Sequence, residues 1–343
     1  MQALNNLPET GVVLIGRNEG ERFIRALDSL TNLMTSCAIV YVDSGSTDNS
    51  VKEARSRGVT VVELDLTTPF TAARARNAGL FALLEQNQNI AYVQFIDGDC
   101  QLQPGWLPAA LKHMTNNPSL AAVCGRRREL YPENSLYNRL IDQEWNTPVG
   151  KAKSCGGDAL YRVAAFNSVG GFNSSVIAGE EPELCYRLRE KGWEIERLNL
   201  DMTMHDANLH TFQEWWKRSE RYGHAAMEAA YRYGLGPERF YVSNVKSFAV
   251  WGAFVPLIFM YLVLFAPLLS TGIIVIYGLQ CHKLFRQHQQ HFSTDIAASC
   301  ACLQMLYKMA ECKGALKFWF NKATGRHSRL IEYKTSEHKE PAQ

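Results

Sequence analysis

The sequence predicts an α/β chain: a doubly wound, mostly parallel sheet, then an α-helical hairpin apolar enough for a membrane, then a helical tail. Three observations carry that prediction. Short apolar runs alternate with segments of helical period and short links over the first two hundred residues. One run, Tyr92-Val93-Gln94-Phe95-Ile96, is apolar on both faces and stops at two carboxylates, Asp97-Gly98-Asp99. Between Lys246 and Lys283 there is no Asp, Glu, Lys or Arg.

Composition is compatible with this plan. The chain has 343 residues, 46% hydrophobic and 20% charged, enough for one large α/β domain or two ordinary ones plus an addition. A net charge of +2 gives no electrostatic argument for nucleic acid. The nine cysteines include no Cys-x-x-Cys, and several sit inside apolar runs, so they read as reduced thiols of a cytosolic domain. The N-terminus, Met1 to Pro8, has neither a basic nor an apolar signal region, which predicts no cleaved leader.

In chain order, Gly11-Val12-Val13-Leu14-Ile15 is a strand ending at Gly16-Arg17-Asn18-Glu19. Phe23, Ile24, Leu27, Leu30 and Met34 recur at helical spacing. Ala38 to Val42 is a second strand, ending at Asp43-Ser44-Gly45-Ser46-Thr47-Asp48, with Thr47 or Asp48 as the cap of a helix carrying Val51 and Ala54. Val59 to Leu64 makes a third strand, and a helix from about Thr71 to Leu84 leads to the central strand. Strand ends line the ligand crevice of an open α/β sheet, so Arg17, Glu19, Asp43, Asp97 and Asp99 share one edge. Two hard oxygen ligands there can hold a divalent cation against phosphate oxygens, although a solvated turn uses the same residues. Arg74 and Arg76 start the third helix facing that rim, where a guanidinium fork matches diphosphate; they also read as a solvated helix face.

Four stretches, Arg17-Asn18-Glu19, Val42-Asp43-Ser44-Gly45-Ser46-Thr47-Asp48, Ala75-Arg76-Asn77-Ala78-Gly79 and Asp97-Gly98-Asp99, resemble in order and spacing the family-2 glycosyltransferases of the GT-A fold, over about residues 10 to 235. The resemblance implies that Asp43 contacts the nucleobase, that Asp97 lies near ribose and metal, and that Asp99 ligates Mg or Mn. Ser44 stands where that family frequently has a second Asp.

The following half carries the acceptor expectations. Trp106, Leu107, Leu111 and Met114 mark a helix, and Ala121 to Gly125 a strand, exiting through Arg126-Arg127-Arg128-Glu129. The triple Arg reads either as an anion holder or as a solvated strand exit. Tyr131 to Lys153 is polar and aromatic-rich, and Trp145 beside carboxylates suits a pyranose. Asp158, after the paired glycines of Cys155-Gly156-Gly157, lies where an acceptor hydroxyl could be oriented. Ala178-Gly179-Glu180-Glu181-Pro182-Glu183 opens a helix, Pro in its first turn and acids at the positive dipole end. Crowding raises a carboxylate toward the pKa of a general base. The resembling family carries a Glu-Asp pair here whose Asp deprotonates the acceptor, which implies Glu181 as base, with Glu180 as its rival. His205, after the strand Ile195 to Leu200, matches a position where GT-A enzymes often complete the metal or diphosphate site. Phe212, Trp215, Trp216 and Tyr222 share a long helix that resembles the family's acceptor-closing segment and would suit a membrane surface equally well.

The apolar stretch is too long for one span, about 50 Å as a single helix against a core of roughly 30 Å, and Pro256, Pro267 and Gly272 interrupt it. Basic residues on both flanks predict a cytosol-facing hairpin, spanning or re-entrant, turning near Ala266 to Gly272. Residues 283–343, with ten Lys/Arg against five Asp/Glu, predict a tail whose Ala297-to-Phe320 segment lies on anionic headgroups. The expected division is therefore a catalytic domain over 1–235, a junction and hairpin over 236–282, and a tail over 283–343. The expected activity is inverting transfer from a nucleotide-diphosphate sugar to a glycan or polyprenyl-linked acceptor, with Mn or Mg, at the cytoplasmic face of the inner membrane. A polyprenyl-phosphate glycosyltransferase and a non-catalytic membrane scaffold or sugar-nucleotide sensor are the competing readings.

Overall fold

A computed structural model describes residues 9–33 and 36–326. Met34, residues 1–8 and the end of the tail lie outside the described residues. The chain divides into two compact units, the first of residues 9–132 and 141–208, the second of 133–140 and 209–326. The expected boundary at 235 therefore falls earlier, and the Trp-rich helix joins the second unit.

In the first unit β1 (Thr10–Gly16) is followed by α1 (Glu21–Ser29), β2 (Ala38–Asp43), α2 (Ser50–Ser56), β3 (Thr60–Glu63), α3 (Ala72–Gln86) and β4 (Tyr92–Asp97). β1 pairs in parallel with β2 and β4, and β2 with β3, as the alternation predicted. The register sets Gly16 beside Asp43 and Ile15 beside Asp97, so both acids end up flanking the tip of β1. Thr71 caps α3 by accepting from Arg74 N at 3.1 Å. The cap before α2 is Asn49 rather than Thr47 or Asp48; Asp48 instead accepts from Ser50 N and Gly20 N.

Next come β5 (Cys100–Leu102), α4 (Trp106–Asn116), β6 (Leu120–Glu129), α5 (Leu136–Trp145), β7 (Gly150–Lys151), β8 (Ala159–Arg162), α6 (Val163–Ser168), α7 (Glu180–Glu190) and β9 (Glu194–His205). Among the described residues nine strands form one sheet in the order β3-β2-β1-β4-β8-β6-β9-β5, with β7 on β9. The second half is mixed, not mostly parallel, because β8 runs antiparallel to both neighbours, β4 and β6. Four residues of strand direction leave no trace in periodicity. β9 runs parallel to β6, setting Glu129 beside His205, and antiparallel to β5, setting Cys100 beside His205.

The second unit is helical. α8 (Phe212–Tyr233) starts with a capping box, Glu214 N donating to Thr211 Oγ1 at 3.2 Å and Thr211 N to Glu214 Oε2 at 3.0 Å. α9 (Val242–Ala249) runs through a π-turn (Val250–Phe254) into α10 (Val255–Phe265). The π-turn absorbs Pro256, so that proline does not break the helix. The break is one residue, Ala266, kept out of the helical region before Pro267, which opens α11 (Pro267–His288). Both arms, Val242–Phe265 and Pro267–His288, are long and apolar enough to cross a membrane. Leu264 and Leu268 are 75% and 87% exposed, so these arms are not the buried core of the unit. Tyr277 donates to Trp251 O at 2.6 Å, tying arm to arm. α12 (Thr294–Ala323) buries Ala297, Ala301, Ala310, Gly314 and Phe318, and at Gly314 it meets the α8 backbone at Glu220 and His224. One face of α12 packs through small residues that let backbones approach, while Leu316, Trp319 and Phe320 on this helix remain exposed.

Candidate active site

The loops after β1 and β2 are laced into one surface. Asn18, in the left-handed region, donates from its N–H to Ser46 Oγ at 3.0 Å and accepts from Thr47 N at 2.7 Å. Asp43 is buried and accepts three bonds, from Tyr41 Oη at 2.8 Å and from Gly45 N and Ser46 N at 2.9 Å each. It holds the turn from Ser44 to Ser46 in shape. Glu19 pairs with Arg22 at 3.0 Å, and Arg17 stacks on Phe70 with 4.5 Å from guanidinium to ring centroid. Arg74 departs from the expected role: it donates to the carbonyls of Asp65 and Thr68, both at 2.7 Å, and so braces the loop before α3.

At the end of β4, Asp97 is gripped from both sides. Arg76 Nη2 donates to Oδ1 at 2.7 Å and Arg127 Nη2 to Oδ2 at 2.9 Å. Burial opposes ionisation of Asp97, but the two guanidinium groups outweigh it and hold the carboxyl below its usual range. Asp99 is buried, and its Oδ2 lies 3.3 Å from His205 Nε2. On the other side of that ring Glu129 Oε2 stands 3.9 Å from Nδ1, and Trp145 packs edge-on at 4.6 Å between centroids. Burial disfavours the imidazolium of His205, yet the Asp99 carboxylate raises its pKa overall. Cys100, absent from the sequence expectations, approaches Asp99 Oδ1 at 3.5 Å and receives Arg127 Nη2 at 3.4 Å; burial pushes its thiol well up.

The third group sits at the start of α7, where Gly179 in the left-handed region turns the chain into the helix. Arg76 Nη1 donates to Glu180 Oε1 at 2.9 Å and lies 3.0 Å from Glu181 Oε1. Arg76 is 2% exposed, so its fork serves three carboxylates rather than diphosphate oxygens. Glu181 is raised from 4.5 to about 7, first by burial and then by the Glu180 charge, with Arg76 opposing. Gly157 makes this convergence possible. A Cβ there would collide with Arg76 Nη2 and stand 2.8 Å from Asp97 Oδ2 and 3.0 Å from Glu181 Oε1.

Asp158 is a correction. It is fully buried, accepting Arg127 Nε and Thr203 Oγ1 at 2.8 Å each and Asp97 N at 3.1 Å, which leaves no face for an acceptor hydroxyl. It forms the back wall that fixes Arg127. Trp145 lies beneath the site, between His205 and Arg127, the latter 5.1 Å above its ring. Trp216 belongs to α8 in the second unit, where it packs beside Phe212. Arg127 is the residue that sequence reasoning left unassigned. Strand alternation was the available signal, since Arg126 and Arg128 on the opposite face go to Asp142 and Asp201.

For a divalent cation two donor sets lie within reach, one of Asp99, Cys100 and His205 and one of Asp97, Cys100 and Asp158, each with its ligand atoms within 4.8 Å of one another.

Residues 12–167, which include Glu19, Asp43, Asp97, Asp99 and Asp158, match glycosyl transferase family 2. The match covers a little under half of the chain. Beyond the family 2 match, the chain is 29% identical over 172 residues to the pre-mycofactocin glycosyltransferase of Mycobacterium tuberculosis, in strains CDC 1551 / Oshkosh and H37Rv, over 47% of this chain and 35% of the relative. It spans about a third of the length of those curated relatives. Among solved structures it resembles a mannosyltransferase from Pyrobaculum calidifontis in complex with GDP-mannose and Mn2+, at TM-score 0.60 and 15% identity, covering 93% of this chain and 89% of that one. That likeness is one of fold, and the fold of the first unit is the GT-A type, with a curled mixed sheet.

Proposed function

We propose that the protein is a metal-dependent, inverting glycosyltransferase attached to a membrane, moving a sugar from a nucleotide-diphosphate donor to a glycan or lipid-linked acceptor in cell-surface polysaccharide synthesis. One observation carries the reading: a single buried guanidinium, Arg76, joins the donor-site acid Asp97 to Glu181, whose carboxyl is tuned to about 7. Asp43 and the Arg17-to-Glu19 loop line the nucleotide edge, and Asp99, Asp97 and His205 would hold Mn or Mg. A cation bound there neutralises charge on the departing nucleoside diphosphate. Glu181 accepts the proton of the acceptor hydroxyl as its oxygen attacks the anomeric carbon and the bond to diphosphate breaks. Glu180 and Arg76 set the basicity and direction of that carboxylate. A single displacement from the face opposite the leaving group inverts the anomeric centre.

The exposed apolar hairpin favours a polyprenyl-linked acceptor, and its basic flanks favour attachment to the inner membrane with the first unit in the cytoplasm. Release of nucleoside diphosphate from candidate sugar nucleotides, with and without Mn2+, tests the reading. Asp99→Ala and Glu181→Gln should each abolish release while leaving the fold intact; release that survives both removes the assigned roles. Thin-layer analysis with polyprenyl phosphate as sole acceptor separates glycan extension from synthesis of a lipid-phosphate sugar.

A further inference from the structure

Cys100 makes the cation edge chemically unusual. It follows Asp99 directly, its side chain is fully buried, and β5 sets it opposite His205 on β9. One ligand atom from each of Asp99, Cys100 and His205 lies within 4.8 Å of the other two. The individual spacings are 3.5 Å from the sulfur to Asp99 Oδ1 and 3.3 Å from Asp99 Oδ2 to His205 Nε2. A tetrahedral ion about 2.3 Å from sulfur and about 2.1 Å from nitrogen and oxygen sets ligand edges of roughly 3.4–3.6 Å. The two spacings, taken from the two oxygens of Asp99, are close to such edges, and one ligand atom from each residue falls within 4.8 Å of the others.

The surroundings agree. Arg127 Nη2 donates to the Cys100 sulfur at 3.4 Å, so the sulfur already accepts a cationic partner. Giving Nε2 to a metal leaves the proton of His205 on Nδ1, which faces Glu129 Oε2 at 3.9 Å. Glu129 is itself pinned by Ala207 N at 3.0 Å and Tyr131 N at 3.1 Å. Zinc sites commonly place a carboxylate behind the ligating imidazole, and Glu129 occupies that position here at 3.9 Å, beyond hydrogen-bond distance. A sulfur ligand selects against Mg2+ and Mn2+, which take oxygen, and toward zinc, which also stands above Mn2+ in general affinity.

We propose that Asp99, Cys100 and His205 bind Zn2+, with the Cys100 sulfur as the ligand that decides which metal is held, and with one coordination position left open. The inference deepens the functional reading, since zinc takes the same Asp99 and His205 atoms assigned there to Mn or Mg. Zinc therefore competes with the activating ion and inhibits.

The test uses the full-length protein stripped with chelator. Co2+ serves as the optical probe, and Zn2+ affinity is read by competition with a chromophoric chelator. Wild type should show a thiolate-to-cobalt charge-transfer band. Cys100→Ser should lose it and bind Zn2+ more weakly, on the order of a hundredfold, since outer-shell partners alone cost roughly 10–100-fold. Its Mn2+ affinity should change little. Asp99→Asn should lose the band too, which covers the case in which Cys100→Ser misfolds. A band absent from wild type, or one that persists in Cys100→Ser because Cys124, Cys155 or Cys185 supplies the sulfur, overturns the assignment. Mn2+-dependent release of nucleoside diphosphate in that situation leaves the functional reading standing, so the two failures are distinguishable.

Discussion

Replacing Glu180 by Gln tests how the base is tuned. The proposed role needs Glu181 as a carboxylate, and its pKa of about 7 means activity falls as pH drops through neutrality, to about one-tenth by pH 6. Both Glu180 and Glu181 present an oxygen to the same Arg76 nitrogen, at 2.9 and 3.0 Å, so those oxygens lie no more than about 6 Å apart. Two like charges at about 6 Å interact by about 3 kcal/mol at an effective dielectric of about 20, equivalent to about two pKa units. Glu180→Gln removes that repulsion and also leaves Arg76 with fewer carboxylates to share. Both effects lower the pKa of Glu181, so the acid limb should move from near pH 7 toward pH 5. The assay is the pH dependence of nucleoside diphosphate release at saturating donor and Mn2+, under constant ionic strength, with Glu181→Gln as the inactive control. An acid limb that stays put in folded Glu180→Gln protein would refute the electrostatic account and the assignment of Glu181.

Gly157→Ala should cut activity at least tenfold and cost about 1–3 kcal/mol of stability, because its methyl displaces the Arg76 fork from Asp97; melting curves and kcat report the two effects. Arg127→Ala strands fully buried Asp158 without its counter-charge, which should destabilise by about 3–5 kcal/mol, and adding Asp158→Asn should recover part of that loss in a double-mutant cycle. Gly314→Leu drives a side chain into the α8 backbone at Glu220 and His224, so the second unit should lose about 2–3 kcal/mol in denaturant titrations. The full-length protein should stay in the membrane pellet after alkaline carbonate washing, as expected of the hairpin; complete extraction would show that the arms pack against protein instead.

The strand ends were legible because β1, β2 and β4 are buried apolar runs that stop at polar residues, β2 at Asp43 and β4 at Asp97; β3, half exposed, is the exception. The register then needs only that strands of similar length align, which puts Asp43 and Asp97 on either side of β1 without further information. The hairpin was legible for the same reason, uninterrupted hydrophobicity, and the position of its turn followed from Pro267. Pro256 misled, since a proline's missing N–H can be absorbed by a π-turn, and nothing local says when that happens. For α12 the small residues at helical spacing mark the face that packs on α8, but the pattern alone does not name that partner.

What sequence could not give was the arginine wiring. Arg76 read as a diphosphate fork because a helix-start arginine near strand tips normally meets solvent or phosphate. Its burial depends on Gly157, eighty-one positions further on, leaving a hole of the right depth beside it. Arg127 likewise acquires its role only when β8 inserts antiparallel between β4 and β6, bringing Asp158 beneath Asp97. The two arginines then do opposite things to the carboxylates they touch: between them they hold Asp97 ionised, while the single fork of Arg76, divided among three acids, is too little to keep Glu181 in the ordinary carboxylate range. A carboxyl held below its usual range at Asp97 and one raised to about 7 at Glu181 share one guanidinium, so the separation of the two depends on the charge count around Arg76. Changing that count by one, at Glu180 or at Asp97, must move the base.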